Sequence, residues 1–196
     1  MLETSELPLF PLNTVLFPQG PLMLRIFEPR YLDMVSWCVR ERSPFGVCLI
    51  RDGSETGPVE MASIGTLAQI VDWDARDDGM LGIVARGGGR FTLETSWRRK
   101  DGLNIGRISV LPDDETAPLP AEWRPFAALL RRILSRLESQ YHWSDDDFAE
   151  AGWVGCRFAE ALPLPLAQKQ VLLEMTNPLE RLRMLRPLVE AVRRKE

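Results

Sequence analysis

The sequence predicts an α+β fold, in which a small closed β-barrel with one intervening helix precedes a C-terminal bundle of about four helices. Short strand-like segments separated by glycine turns fill the first half of the chain. A single stretch with helical spacing interrupts them after Pro29. Beyond Pro112 apolar residues recur at helical intervals. The first two observations predict the barrel and its helix, and the third predicts the bundle.

The first segment, residues 7–34, reads LPLFPLNTVLFPQGPLMLRIFEPRYLDM and contains five prolines. Because proline is excluded from helix interiors, we predict strands over residues 7–12 and 22–27, separated by a Pro-Gln-Gly-Pro turn. Pro29 suits the first turn of a helix, which the apolar spacing extends to about Arg42. This segment therefore supplies two strands and the intervening helix.

The remaining strands are predicted from runs of apolar and β-branched residues between turn-forming residues. Loops are expected at 51–61 and at the acidic turn 74–79. Arg86-Gly-Gly-Gly-Arg90 is expected to be a tight connection between strands rather than an anion cradle, because no helix follows it. The predicted strands are 45–50, 64–73, 80–85, 91–97 and 103–111.

Two subdomains are predicted, a barrel over residues 1–111 and a helical bundle over 121–196. The acidic, proline-bearing stretch 112–120 is expected to link them. Ser144 and Asp147 resemble a capping box that opens a helix with a stripe of small residues, which would let another helix approach closely. A short helix is expected over 166–175, and Asn177-Pro178 opens the last one.

Composition limits the classes of function. The net charge of −4 argues against a general nucleic-acid binder. Three cysteines without a CxxC pair indicate a reducing compartment. Neither a membrane-spanning apolar run nor a signal-peptide pattern is present, so a cytoplasmic location is expected.

Motifs along most of the chain resemble the LON substrate-binding domain family, especially its free-standing members. They are the 7–34 segment, Ile64-Gly-Thr-Leu-Ala-Gln-Ile70, Gly87 to Phe91, and Ala167-Gln-Lys-Gln-Val-Leu-Leu-Glu174 followed by Glu180-Arg-Leu182. The resemblance implies a PUA-like β-barrel followed by a helical bundle. It also implies binding of polypeptide substrates or partner proteins, with a Lon-type protease acting in trans as a candidate partner.

No residue set predicts catalysis, a cofactor or a metal site. His142 is the only histidine and has no distinctive Ser or Cys near it in the sequence. Asp72, Asp74, Asp77 and Asp78 lack the spacing of an EF-hand, so a solvated hairpin tip is expected there. A GxxxxGK[ST] phosphate loop is also missing.

The sequence thus predicts a non-catalytic polypeptide-binding module without ATPase or peptidase parts. An RNA-binding PUA-like protein is the alternative, and an unrecognised hydrolase is a third. The candidate partner-binding residues are Trp153, Val154, Trp73 and Arg30. Trp153 and Val154 fall off the apolar stripe of their helix, so they either face a partner or pack under a neighbouring helix.

Polar residues inside the 7–34 segment allow a functional and an architectural interpretation. We expect the architectural one, in which Glu28 caps the helix and Arg30 pairs with it or with another carboxylate. Phe27 and Tyr31 are expected to be buried aromatics of the core.

Overall fold

The structure, a computed structural model, describes residues 4–54, 59–75, 80–137 and 141–194. The chain divides into two compact units, Met1–Pro112 and Asp113–Glu196. Within the described residues, the first unit contains seven strands and one helix, and the second contains four α-helices and two short 3₁₀ turns. The predicted mixed fold, strand-rich first and helical afterwards, is therefore confirmed.

The strands and helix of the first unit are β1 (Thr4–Leu12), β2 (Pro21–Ile26), α1 (Pro29–Glu41), β3 (Phe45–Gly53), β4 (Val59–Met61), β5 (Ile64–Ala75), β6 (Leu81–Arg98) and β7 (Asn104–Val110). The helices of the second unit are α2 (Arg124–Ser135), α3 (Ala151–Ala161), α4 (Leu166–Glu174) and α5 (Pro178–Arg193). The 3₁₀ turns cover Ala121–Trp123 and Asp146–Ala149.

Strand pairing in the first unit closes into a ring. The sheet order is β1-β7-β6-β5-β3-β4, and β1 additionally pairs with β3 in parallel, from Leu9 opposite Gly46 to Leu12 opposite Leu49. Parallel strands are usually buried on both faces and read as continuous apolar runs. Both members of this pair are such runs, since residues 7–12 and 45–50 are all buried. β2 lies outside the ring and, among the described residues, pairs only with β6.

A small apolar cluster inside the ring depends on glycines. Leu9 and Phe91 are fully buried there. A Cβ atom on Gly46 would lie 2.7 Å from Leu9 and 2.9 Å from Phe91, and one on Gly65 would lie 2.5 Å from Phe91. Gly106 lies on β7, which pairs with β1, and a Cβ atom there would lie 2.8 Å from Leu9. Glycine at these three positions therefore leaves the space that the Leu9 and Phe91 side chains occupy.

A larger cluster packs α1 against the sheet. Tyr31 on α1 stacks on Phe10 of β1, with ring centroids 3.9 Å apart and nearly parallel planes. Met34, Val35 and Cys38 continue the buried face of the helix. Pro29 begins α1, as predicted, and Arg42 ends it in a left-handed conformation with φ of 52°. The amphipathic pattern of the sequence therefore places α1 correctly.

The triglycine segment does not form the predicted tight connection. β6 runs through it without a break for 18 residues. The Gly87 carbonyl accepts a hydrogen bond from Gln19 at 2.7 Å, and its amide donates to Gly20 at 2.8 Å. A Cβ on Gly87 would lie only 2.2 Å from the Phe17 carbonyl oxygen. Glycine is thus required here for close approach of the 17–20 turn, not for reversing the chain.

Smaller differences concern element ends. The predicted loop 51–61 contains the end of β3 and all of β4. The acidic turn predicted at 74–79 begins within β5, and residues 76–79 lie outside the described part of the chain. The helical spacing of apolar residues from Trp123 to Tyr141 predicts a longer first helix in the second unit than the structure shows, since α2 ends at Ser135.

Helices α3 and α5 pack closely in the second unit. A Cβ on Gly155 would meet the Arg181 side chain at 3.3 Å, so the predicted role of the small-residue stripe is confirmed. Arg181 is buried, donates to the Leu172 carbonyl at 2.9 Å and pairs with Asp114 at 2.7 Å. Asp114 belongs to the predicted linker, which also hydrogen-bonds to the start of α3 through Ala117 and Leu119. This linker segment is thus anchored to the helices.

The caps of this unit differ partly from prediction. The Ser144 amide donates to the Asp147 carboxylate at 2.6 Å, yet this pair opens only the second 3₁₀ turn. α3 is capped instead by Glu150, whose carboxylate accepts from the amides of Gly152 and Trp153. Asn177 caps α5, as predicted. Within the described ranges, no helix is both long and apolar enough to span a membrane.

We expect Gly87→Ala to lower the free energy of unfolding by about 1–3 kcal/mol or more, because the new methyl group overlaps the Phe17 carbonyl. Gly89→Ala is the matched control, since its Cβ would meet nothing closer than Val110 at 4.0 Å. Urea denaturation followed by circular dichroism measures both. Equal stability of the two variants would contradict the close-approach explanation.

Candidate functional site

The four sequence-predicted site residues do not form one site. Trp73 lies on β5 with 56% of its surface exposed, whereas Arg30, Trp153 and Val154 are buried. Trp73 and Arg30 belong to the first unit, and the other two belong to the second. Only Trp73 therefore offers an accessible surface to a partner.

Trp153 and Val154 must be removed from the predicted partner surface. Trp153 is only 6% exposed and Val154 is fully buried. Nine consecutive residues of α3, 151–159, are buried because α2, α4, α5 and the second 3₁₀ turn all pack against the helix. Trp153 packs against the Phe148 ring, with centroids 4.9 Å apart. Of the two alternatives that the sequence left open, facing a partner or packing under a neighbouring helix, the structure shows packing for both residues.

Arg30 has the architectural role that the sequence favoured. Its guanidinium donates to the Gly102 carbonyl at 2.7 Å, pairs with Glu28 at 2.8 Å and lies over the Tyr31 ring at 4.6 Å. These contacts join α1 to the turn between β6 and β7. Because these internal contacts leave Arg30 only 7% exposed, its guanidinium does not lie on an accessible surface.

Phe27 was also predicted wrongly, as a core residue. It is 68% exposed and directly follows β2, whose outward-facing residues alternate with buried ones. Met23 and Arg25 are exposed, whereas Ile26 is buried. The alternation continues one residue beyond the strand and turns Phe27 outward. Tyr31, by contrast, is buried as predicted.

These observations define a surface that we call the Trp73 surface, made of Met23, Arg25, Phe27, Asp72, Trp73 and Asp74. Trp73 pairs with Ile83, one position out of step with Asp72 and Asp74, so its side chain leaves the other face of the sheet and is exposed at the end of β5. Three strands carry it, since β6 pairs with β2 on one side and with β5 on the other. The register places Met23, Val84 and Asp72 in one row across the strands. Met23 is 54% exposed, so large apolar side chains face solvent from both outer strands.

The next row on the same face of the sheet is Arg25, Gly82 and Asp74. Neighbouring strands lie about 4.8 Å apart, which separates the backbones of the two charged residues by roughly 10 Å. Gly82 lines a surface concavity of about 270 Å³ together with residues of both rows and Trp73. The absence of a side chain at the middle of the row leaves room for a ligand side chain.

The charges of this concavity are divided between its sides. Arg25 stands on β2, and Asp72 and Asp74 stand on β5. The Asp72 carboxylate accepts a hydrogen bond from the backbone amide of Trp73 at 2.9 Å, which fixes the orientation of the carboxylate against the strand. A surface with exposed apolar and aromatic side chains and separated charges is suited to bind a polypeptide segment.

The structure places His142 on the surface of the second unit, beside Tyr141 and Trp143. Across the four described ranges, no group of three or more His, Cys, Asp or Glu side chains could hold a metal ion. Of the acidic residues in the predicted hairpin tip, Asp72 and Asp74 lie on β5, and Asp77 and Asp78 lie outside the described residues.

The cysteine thiols are buried and unreactive in character. Burial raises the pKa of Cys38 and that of Cys48 to about 12. Burial also raises the pKa of Cys156, although Arg181 and Arg157 nearby act in the opposite direction. A nucleophilic cysteine needs a lowered pKa and access to solvent, and these three thiols have neither.

Comparison with known proteins agrees with the fold. A family model described as the ATP-dependent protease La (LON) substrate-binding domain matches residues 6–191. A crystal structure of a Lon N-terminal domain protein from Xanthomonas campestris is 40% identical, with a TM-score of 0.76 over 92% of this chain and 96% of that one. The N-terminal domain of a Mycobacterium avium complex Lon protease shares the fold at 18% identity, with a TM-score of 0.62, over 95% of this chain and 98% of that one.

Full-length relatives are Lon proteases. The chain is 23% identical to Lon protease of Anaeromyxobacter dehalogenans, over 96% of its own length and 23% of the relative's. It is 26% identical to Lon protease 2 of Sorangium cellulosum, over 95% of its length and 25% of the relative's. The chain thus spans about a quarter of the length of these curated relatives.

We expect all three native thiols to react slowly with a disulfide reagent such as Ellman's at mildly alkaline pH, because burial disfavours the thiolate. The same reagent in concentrated guanidinium chloride should titrate them rapidly. Folding raises the pKa of Cys38 and that of Cys48 from 9.0 to about 12. Below pH 9 both thiols are neutral and the free energy of unfolding is fully retained; it falls as the pH rises from 9 through 12, because the unfolded chain ionises first. Rapid stoichiometric labelling of the folded protein would contradict this.

Tyr31→Ala should lower the free energy of unfolding by about 3–5 kcal/mol, since it removes a buried ring stacked on Phe10. Phe27→Ala should change it by no more than about 0.5 kcal/mol, because that ring is exposed. Denaturant titration of both variants gives the comparison. A core-sized loss for Phe27→Ala would restore the original sequence prediction for this residue.

Proposed function

The chain belongs to the LON substrate-binding domain family, and from this membership we propose that it is a non-catalytic module that binds polypeptides at the Trp73 surface. The observation that carries the proposal is the combination of exposed Met23, Phe27 and Trp73 beside a concavity whose two sides differ in charge. Exposed aromatic and methionine side chains are characteristic anchors of protein interfaces. Unfolded or extended segments are the substrates we propose.

The apolar side chains would act as the anchors of this binding. Trp73 and Phe27 supply large rigid rings, and Met23 supplies an adaptable side chain that suits varied partners. A bound segment would place apolar residues on Met23 and Phe27 at one face of the sheet and on Trp73, which extends from the other face at the end of β5. Its charged residues would meet Arg25 on one side and Asp72 or Asp74 on the other. Affinity would then depend mainly on apolar contact, and orientation on charge.

We infer that the ring of strands is the PUA-like β-barrel that the family implies, which the closing β1–β3 pairing supports. We also propose residues 1–111 as the barrel subdomain, 112–120 as the connection and 121–196 as the helical subdomain. The connection is proposed to be a bound segment rather than a free linker, which the Asp114–Arg181 ion pair supports.

Our proposal assigns no ATPase or peptidase activity to the described residues. A Lon-type protease acting in trans is the partner we propose to receive bound polypeptides. The cytoplasm is the proposed location, which three buried, unpaired cysteines favour. RNA binding is not proposed, since the exposed carboxylates Asp72 and Asp74 would oppose a phosphate backbone.

We expect Trp73→Ala to weaken binding of a permanently unfolded protein, such as reduced and carboxymethylated lactalbumin, by about tenfold or more, because truncating an interface anchor usually costs at least 1–2 kcal/mol. Fluorescence anisotropy of the labelled unfolded protein gives the affinity. Met23→Ala and Phe27→Ala should weaken it in the same direction.

Trp97→Ala is the matched control, because Trp97 is another exposed tryptophan, 40% accessible, towards the opposite end of β6. Thermal unfolding should show that each variant keeps its fold. Equal affinities of the Trp73 and Trp97 variants would reject the Trp73 surface. Failure of the parent protein to bind any unfolded polypeptide would reject the proposed function itself.

A further inference from the structure

A second and larger concavity, of about 400 Å³, lies on the first unit away from the residues of the Trp73 surface. It is formed by α1, β1 and the region around the β6–β7 turn. Its apolar lining comes from Leu7, Pro8, Met34, Leu103 and Ile105. Its polar lining comes from Glu6, Asp33, Trp37 and Arg99. Its volume lies near the lower end of the range for sites that receive a small ligand or one large side chain.

Asp33 and Trp37 occupy neighbouring positions on one face of α1. They are four residues apart, so their Cβ atoms lie about 5–6 Å from each other. Trp37 is 39% exposed although it adjoins the buried residues Met34 and Cys38, and Asp33 is exposed as well. Neither side chain has an ion pair or hydrogen bond to the described residues, so both are available to a ligand.

The other charges of the concavity are already compensated. Glu6 pairs with Arg107 at 3.0 Å, and Arg99 pairs with Asp101. The backbone amide of Leu103, and then the Arg99 guanidinium, lower the pKa of Asp101, which keeps that carboxylate ionised beside Arg99. The uncompensated charge of the concavity is therefore the negative charge of Asp33.

We propose that this concavity binds the side chain of an arginine or lysine of an extended polypeptide partner, with the cationic end between the Asp33 carboxylate and the Trp37 indole. The aliphatic part of such a side chain would lie along Leu7, Met34 and Ile105, since long basic side chains bury their methylene groups and keep the charge accessible. The cation would gain both an ion pair and a cation–π contact. The inference rests on the proposed polypeptide binding and adds the class of residue recognised.

Other side chains match the lining less well. An acidic side chain would be repelled by Asp33, and Arg99 is already engaged by Asp101. A purely apolar side chain would cover the apolar lining but would remove water from Asp33 without replacing its hydrogen bonds, which is unfavourable. A basic side chain satisfies both parts of the lining.

Short peptides test the proposal independently of unfolded-protein binding. The probes are four acetylated and amidated Ala-Xaa-Ala tripeptides, with Xaa being Arg, Lys, norleucine or Glu. They are titrated into the whole chain labelled with ¹⁵N, and the Trp37 indole N–H signal is followed after assignment through Trp37→Phe. We expect the Arg and Lys peptides to bind about threefold to tenfold more tightly than the norleucine peptide, and added salt to reduce this advantage.

Asp33→Asn should remove the preference for basic peptides and leave norleucine binding unchanged. Ser36→Ala, an exposed change on the same helix outside the lining, is the control and should have no effect. Norleucine or Glu peptides that bind as tightly as Arg would overturn the proposal, as would an Asp33→Asn variant with an intact preference.

Trp73→Ala separates this proposal from the proposed function. Basic-peptide binding that persists in Trp73→Ala supports a separate site, even if unfolded proteins fail to bind the parent. Loss of the basic-peptide signal in Trp73→Ala, with Asp33→Asn unaffected, would place the basic side chain at the Trp73 surface and overturn the present assignment.

Discussion

The first unit depends on one packing constraint, the fit of Leu9 and Phe91 into a ring of strands that is narrow enough to need glycines. Gly46, Gly65 and Gly106 each lie so close to at least one of these side chains that a Cβ atom at the glycine would overlap it. The same narrowness lets β1 reach β3 and complete the ring of hydrogen bonds. A closed ring has no long free edge, so β2 can lie outside it and leave its outward side chains, Met23 and Arg25, exposed.

Much of this fold follows from local pattern. Residues 7–12 and 45–50 are continuous apolar runs, and the structure pairs them as buried strands. The Pro29 helix and the Asn177 cap are equally local signals, and both are confirmed. The triglycine segment was misinterpreted because glycine permits both a turn and a close backbone approach, and only the position of the 17–20 turn decides between them.

The candidate site was harder to predict because exposure depends on which neighbours surround an element. Trp153 falls off an apolar stripe, which indicates a surface residue on an ordinary amphipathic helix, but α3 is enclosed almost all round. Phe27 sits in an apolar signature and yet faces solvent, since strand alternation continued past Ile26. Because residues of a strand alternate between its faces, a buried Ile26 predicts that Phe27 and Met23 point to the solvent face, and this was the signal that could have identified them.

Gly82 gives the Trp73 surface a particular evolutionary freedom. Its depth arises from an omitted side chain in the middle strand and not from a void in the core, because Gly82 alternates with the buried Ile83. A larger residue at this position would project into the concavity and leave the packing beneath unchanged. In the polypeptide-binding role proposed for this surface, single substitutions at Gly82 would broaden or narrow the range of bound polypeptides while the scaffold stays constant. Relatives with different residues here would differ in selectivity without differing in architecture.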